Sequence, residues 1–262
     1  RFRGYMPGNG PKKRSTTLSI SDAALLVEGN DEEVKKGAHL PFPQLVGVIQ
    51  YPAAFTNLEM RYAVSTLSSF RGRWGTNHFA AALKALEYGH TTRDTGVKFT
   101  KPKDKGKINI LVAYADSGFS APRSQGGRAV IMNGAAISFS SKRHTTTDNS
   151  TTAAELTELF NCSCDVEGFR NLMDEVGLHQ ELPTIIFHDN LPAIQIAMNR
   201  GALAKKTRAM SLRTLSVRNK IEDGKIIPEY KTTDLMVADI GTKPLDVKRF
   251  EMLRDMLTGY WQ

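Results

Sequence analysis

Two short apolar runs, Ile108–Ala115 and Pro183–His188, each end on an aspartate, Asp116 and Asp189. Runs of this length and content suit strands buried on both faces rather than helices. A sheet built from them would carry both acids at its carboxyl edge, where ligands of α/β sheets collect. Between them lie Arg128–Met132 and Ala135–Ser140, joined by Asn133-Gly134, the strongest short hairpin signal. Residues 150–175 are helical in pattern, with Ser150, Thr151 or Thr152 as the cap. Asn190–Asn199 reads as a short helix with Pro192 in its first turn. A helix over 204–222, a strand over Ile226–Lys231, and a helix starting at Leu235–Gly241 and resuming over 246–258 after Pro244 complete the order. Three strands, helix, strand, helices, strand and helix make a mixed α/β layered domain of roughly 150 residues.

The 262 residues leave room for more than this domain. Apolar positions recur near the helical period over 43–104, so 42–104 is expected to be a small helical unit. The lysine-rich stretch Lys101–Lys107 marks the boundary, and 105–262 is assigned to the α/β domain. Residues 1–41, with Pro7, Gly8, Gly10, Pro11 and then Lys12-Lys13-Arg14, read as a poorly ordered linker. The missing initiator Met suggests a piece of a longer polypeptide.

The chain is 40% hydrophobic and 24% charged, with a net charge of +8. A core is affordable, and the charge suits a nucleic-acid partner as well as it suits a plain basic surface. Cys162 and Cys164 are too few for a disulfide framework or a zinc quartet, and the six histidines show no zinc spacing. No apolar run is long enough for a membrane helix. Trp74 and Trp261 read as packing residues, His188 as a residue packed at its strand end, and His144 as loop surface.

Four acids stand at element ends: Asp116 and Asp189 after strands, Glu155 and Asp239 in the first turns of helices. Such acids also serve as helix caps and dipole partners. Gathered together, they would repel one another without metal. Hard divalent ions take oxygen ligands, and two of them roughly 3.5–4 Å apart stabilise both ends of an in-line phosphodiester displacement. Between Arg200 and Lys220, five cations, Lys205, Lys206, Arg208, Arg213 and Arg218, occur with no acid. They form either a phosphate-tracking helix or a solvated face.

At these residues the sequence resembles the C-terminal end of copia-type retrotransposon polyproteins, where reverse transcriptase is followed by ribonuclease H. Ala115-Asp116, Arg123-Ser124-x-x-Gly127 and Ile137-Ser138-Phe139-Ser140-Ser141-Lys142 look like the family's first strands. Ser150-Thr-Thr-Ala-Ala-Glu155-Leu carries Glu155 on its catalytic Glu. His188-Asp189-Asn190-x-x-Ala193 looks like its Cys-Asp-Asn-x-x-Ala. Ala238-Asp239-Ile240-x-Thr242-Lys243-Pro244-Leu245 looks like its Ala-Asp-Ile-x-Thr-Lys-Pro-Leu.

The resemblance implies a ribonuclease H-like fold, a mixed five-stranded sheet flanked by helices and preceded by a small helical unit of thumb or connection type. It implies an endonuclease acting on the RNA strand of RNA–DNA hybrids and leaving a 3′-hydroxyl and a 5′-phosphate. Asp116, Glu155, Asp189 and Asp239 would hold two Mg²⁺ or Mn²⁺ ions. The implied partners are the hybrid and an upstream polymerase region, with no membrane and no small-molecule cofactor. The implied location is intracellular, in cytoplasmic virus-like particles or the nucleus. The polymerase's own Tyr-x-Asp-Asp is absent, Tyr114-Ala115-Asp116-Ser117 having one Asp. Ala153 replaces the first Glu of the helix motif, and Lys206–Arg213 departs from the family's Arg-Thr-Lys-His-Ile-Asp-Val-Arg. A non-catalytic nucleic-acid-binding remnant is the rival reading. An integrase or resolvase on the same fold is a third, and the acid order Asp, Glu, Asp, Asp speaks against an integrase.

Overall fold

The computed structural model describes residues 2–5, 12–104, 106, 108–120, 122–198 and 208–261. The chain forms two compact units, Arg1–Val97 with Lys243–Asp255, and Lys98–Thr242 with Met256–Gln262.

The first unit is helical: α1 (Ile20–Ala24), α2 (Asp31–Gly37), α3 (Phe42–Phe55), α4 (Arg61–Ser68) and α5 (Thr76–Thr91). Part of the stretch 1–41, expected to be a poorly ordered linker, therefore forms helices. Polar residues start its helices, since Ser19 caps α1 and a capping box of Asn30 and Glu33 opens α2. Leu18 and Leu26 are buried, and Asp22 pairs with Lys84 of α5 at 2.5 Å. The helices are short and follow a Pro- and Gly-rich start, so composition alone makes this stretch look like linker.

The last helix, α9 (Val247–Thr258), also departs from the expected division, because its residues through Asp255 belong to the helical unit. Phe250 packs edge-on against Tyr88 of α5, with ring centroids 5.8 Å apart, and both are buried. The tyrosine hydroxyl reaches buried Glu59 Oε1 at 3.1 Å. A local apolar pattern shows that a helix has a buried face but not which unit buries it.

The second unit is built on five strands: β1 (Leu111–Gly118), β2 (Gln125–Met132), β3 (Ala135–Arg143), β4 (Thr184–His188) and β5 (Ile226–Tyr230). Their order in the sheet is β3-β2-β1-β4-β5. β1, β2 and β3 are antiparallel, while β4 runs parallel to β1 and β5 parallel to β4. This is the expected mixed five-stranded sheet flanked by helices. At the β2–β3 turn Asn133 has φ 51° and Gly134 φ 82°, the left-handed pair that a two-residue hairpin turn needs.

Three helices belong to this sheet: α6 (Thr151–Glu175), α7 (Leu191–Met198) and α8 (Arg208–Glu222). Ser150 starts α6, its Oγ accepting the Ala153 N–H at 3.1 Å. Leu156, Leu159, Cys162 and Val166, one face of α6, share a core with Ala113, Ala115 and Ile186 of the sheet. The helix expected from Leu235 is instead two 3-10 turns, Thr233–Leu235 and Val237–Gly241.

A buried ionic network fastens α6 to β2. Glu158 accepts from Arg128 Nη1 at 2.9 Å and from His144 Nε2 at 3.0 Å. Arg128 Nε also donates to Asp165, and His144 Nδ1 lies 2.7 Å from Asp148. His144 is thus buried between two carboxylates, not at the loop surface. Burial alone would lower its pKa, but its hydrogen bonds to Glu158 and Asp148 outweigh that and raise it. The sign follows from linkage. A raised folded-state pKa stabilises fully below the unfolded value of about 6.5, and the contribution fades as pH rises through the folded value. The urea midpoint is therefore expected to fall from about pH 6 upward through the raised pKa. His144→Gln should flatten that slope, and an unchanged slope would remove His144 as its source.

Candidate metal centre

The parallel register pairs Tyr114 of β1 with Phe187 of β4. Two residues further along each strand, Asp116 and Asp189 come level at the carboxyl edge of the sheet. Asp239 arrives on the turn Val237–Gly241, and Glu155 on the first turns of α6. Asp116, Glu155 and Asp239 are buried, and Asp189 is half-buried. Carboxylate oxygens of Asp116, Asp189 and Asp239 all lie within 4.8 Å of one another. Glu155, His188 and Asp189 also offer ligand atoms mutually within 4.8 Å. All four acids singled out in the sequence are thus brought to one place, with Asp189 common to both groups.

Several motif residues hold the Asp239 turn against the sheet. Ser141 Oγ donates to the Gly241 carbonyl at 2.6 Å, and Gln125 Nε2 donates to Ser141 Oγ at 2.8 Å. A Cβ on Gly127 would meet the Ala238 carbonyl oxygen at 2.5 Å and Thr242 Cγ2 at 2.7 Å. Glycine is therefore required where the turn lies across β2. Gly127→Ala is expected to push Asp239 and Thr242 off the sheet and to lower the melting temperature by several degrees. A melting curve that overlays the parent would show that the turn is not held there.

Hydroxyl and imidazole groups surround the acids. Thr242 Oγ1 donates to Asp116 Oδ2 at 2.5 Å, and Thr233 Oγ1 to Asp189 Oδ2 at 2.9 Å. His188 is fully buried, as expected of it. Its Nδ1 accepts the Asn190 N–H at 3.1 Å, which assigns the ring proton to Nε2. That nitrogen faces the Glu155 carbonyl at 3.4 Å and Glu155 Oε2 at 3.5 Å. Burial pushes the His188 pKa down, so the ring is neutral near pH 7. Thr233, Thr242, Ser141 and Gln125 were not identified as site residues from sequence. Thr242 and Ser141 stand in the quoted motifs, which do not disclose the contacts they make.

The four carboxylates are an anionic oxygen donor set that suits hard divalent ions such as Mg²⁺ or Mn²⁺. Carboxylates this close stay ionised together most readily with a cation among them.

Lys205, Lys206 and the side chain of Arg208 lie outside the described residues. Arg213 Nη1 donates to Thr157 Oγ1 at 3.0 Å. Arg218 Nη2 donates to the Ile196 carbonyl at 2.7 Å, closing the last turn of α7. These two arginines fasten α8 to its neighbours. Trp74 stacks on Phe42 as expected of a packing residue, whereas Trp261 is exposed.

The Pol polyprotein of transposon RE2 from Arabidopsis thaliana is 30% identical over 223 residues, covering 82% of this chain and 15% of that protein. That of transposon TNT 1-94 from Nicotiana tabacum is 25% identical over 230 residues, covering 86% of this chain and 17% of that protein. The transposon Ty1-NL2 Gag-Pol polyprotein of Saccharomyces cerevisiae is 22% identical over 230 residues, covering 87% and 13%. The chain thus spans between 13% and 17% of the length of these relatives. No family model matches. Among solved structures, an RNase H1 isolated from compost covers 52% of this chain and 94% of its own, at 15% identity and a TM-score of 0.41.

Proposed function

For a chain whose homologues are the Pol polyproteins of copia-type transposons of plants and yeast, we propose the activity of a ribonuclease H: metal-dependent hydrolysis of the RNA strand of an RNA–DNA hybrid. The observation that carries this reading is the meeting of Asp116, Asp189 and Asp239 within 4.8 Å at the carboxyl edge of the sheet. Asp116, Glu155, Asp189 and Asp239 would hold two Mg²⁺ or Mn²⁺ ions. Such ions, when bound, supply positive charge at the attacking and leaving oxygens of a phosphodiester displacement. The protein's own part is to keep four carboxylates oriented and close. His188, neutral and sealed behind Glu155, supports that side chain without adding charge. The helical unit corresponds in this reading to the thumb or connection region, with a polymerase region expected upstream in the full polyprotein.

Substrate positioning is assigned to the basic run. Contacts to phosphate position a hybrid and carry little sequence information. The strand to be cut is distinguished by its 2′-hydroxyls and the A-like groove. Replacing Lys205, Lys206 and Arg208 with Gln is expected to weaken hybrid affinity evenly across sequences. It should lower the salt slope by roughly 0.7–0.9 per lost phosphate contact. Turnover at saturating substrate should change far less, since no carboxylate is touched. Equal affinity and an equal salt slope in that triple variant would make the run a solvated face. Cleavage of a labelled hybrid tests the activity itself.

A further inference from the structure

We infer that Thr242 is a positioning residue for Asp116, and that its hydroxyl fixes which carboxylate oxygen of Asp116 is turned toward the ions. This rests on the metal-binding reading above.

The geometry is specific. Thr242 Oγ1 donates to Asp116 Oδ2 at 2.5 Å, and both residues are buried. A hydroxyl has one hydrogen to give. The Asp239 carbonyl also lies within 3.3 Å of Oγ1. That carbonyl already accepts the Thr242 N–H at 3.1 Å, so the shorter contact takes the hydroxyl proton. A hydrogen bond to an ionised acceptor is stronger than a neutral one, and here it occupies Oδ2. The carboxylate can then no longer turn freely about its Cβ–Cγ bond, and Oδ1 is left to meet an ion.

Thr242 is itself held on several sides. The Gly241 carbonyl before it takes the Ser141 hydroxyl. Its methyl packs where Gly127 has no side chain, and its carbonyl oxygen would lie 3.0 Å from a Cβ on Gly118. One residue thus links the Asp239 turn to the Asp116 strand. Its bond crosses 126 positions of sequence and ties the Asp116 carboxylate directly to the turn that carries Asp239. A partner of this kind beyond the ligands typically governs metal affinity by 10- to 100-fold.

The test compares Thr242→Ser with Thr242→Ala in the full chain. Both lose the methyl, and they differ only in the hydroxyl. Mn²⁺ binding is read without substrate, as free Mn²⁺ by electron paramagnetic resonance, and folding is checked by thermal melting. Thr242→Ala is expected to bind Mn²⁺ about 10- to 100-fold more weakly than Thr242→Ser. Its cleavage should be lost first at low Mg²⁺ and recover as Mg²⁺ is raised. Equal Mn²⁺ affinities in the two variants would overturn the role of the hydroxyl while leaving the metal centre standing. Should Thr242→Ala fail to fold, Thr242→Val, which keeps the branched shape, takes its place, and Mn²⁺ affinity equal to that of the parent overturns the inference. Absence of Mn²⁺ binding in the parent, or undiminished binding in Asp116→Asn, would instead overturn the metal-binding reading beneath it.

Discussion

Asp189→Asn is expected to abolish most hybrid cleavage while leaving the fold and hybrid binding at low metal intact. The substitution keeps size and shape and removes one charge. Asp189 belongs to both groups of potential ligands, one with Asp116 and Asp239 and the other with Glu155 and His188. No other acid among the described residues belongs to both. Its loss therefore weakens whatever either group holds. Partners that only support metal ligands are worth roughly 10- to 100-fold, so a ligand itself should cost at least about a hundredfold in turnover. Thr233, which bonds the Oδ2 oxygen, would face an amide instead of a carboxylate. Single-turnover cleavage of a labelled hybrid reads the effect, and a rate equal to the parent's would remove Asp189 from the site.

The second large effect concerns stability. Arg128→Met should destabilise the chain by about 3–5 kcal/mol, the usual cost of breaking a buried ion pair from one side. Glu158 is buried, and its pKa is set by opposing causes: burial raises it, while hydrogen bonds and charge from His144 and Arg128 bring it below the ordinary range. Removing the guanidinium leaves Glu158 to His144 and Asn161 alone. Asp165 loses its bond from Arg128 as well. Urea denaturation at neutral pH measures this. A paired change of Arg128 and Glu158 to apolar residues should cost much less than the single one, because no buried charge is then left alone. A single variant as stable as the parent would show the network to be dispensable.

Much of the fold could be read locally. Alternation and apolar runs marked all five strands, Asn133-Gly134 marked the hairpin, and Ser150 marked the start of the long helix. These signals lie within a few residues of what they specify. The family resemblance implied a mixed five-stranded sheet but the order of its strands was not read, since β1 and β4 pair across more than seventy residues. The packing of the helices before residue 41 and the affiliation of α9 were not readable for the same reason. Leu18, Leu26 and Phe250 reveal their partners only once the chain is folded.

The site shows the same division. Asp116 and Asp189 were conspicuous because a strand ending in an acid is a local pattern. Asp239 was read in sequence as an acid opening a helix, but it stands on a 3-10 turn whose position depends on Ser141, Gly127 and Gly241. The arginines of α8 show the limit of charge counting. Arg213 and Arg218 count toward a basic run in sequence, yet in the fold their guanidinium groups are bonded to Thr157 and to the Ile196 carbonyl.

If the four acids make a working ribonuclease H, the chain must cut RNA only when it is paired with DNA and only with a divalent metal. The most direct measurement is incubation of the full chain with an RNA–DNA hybrid labelled on each strand in turn, with Mg²⁺ and separately with Mn²⁺. Cleavage of the RNA strand alone is expected, with products ending in 3′-hydroxyl and 5′-phosphate and no cleavage when the metal is chelated. Hybrid binding without cleavage in either metal would contradict it and favour a non-catalytic binding module. Cleavage of duplex DNA in preference to the hybrid would contradict it in favour of a different nuclease on the same fold.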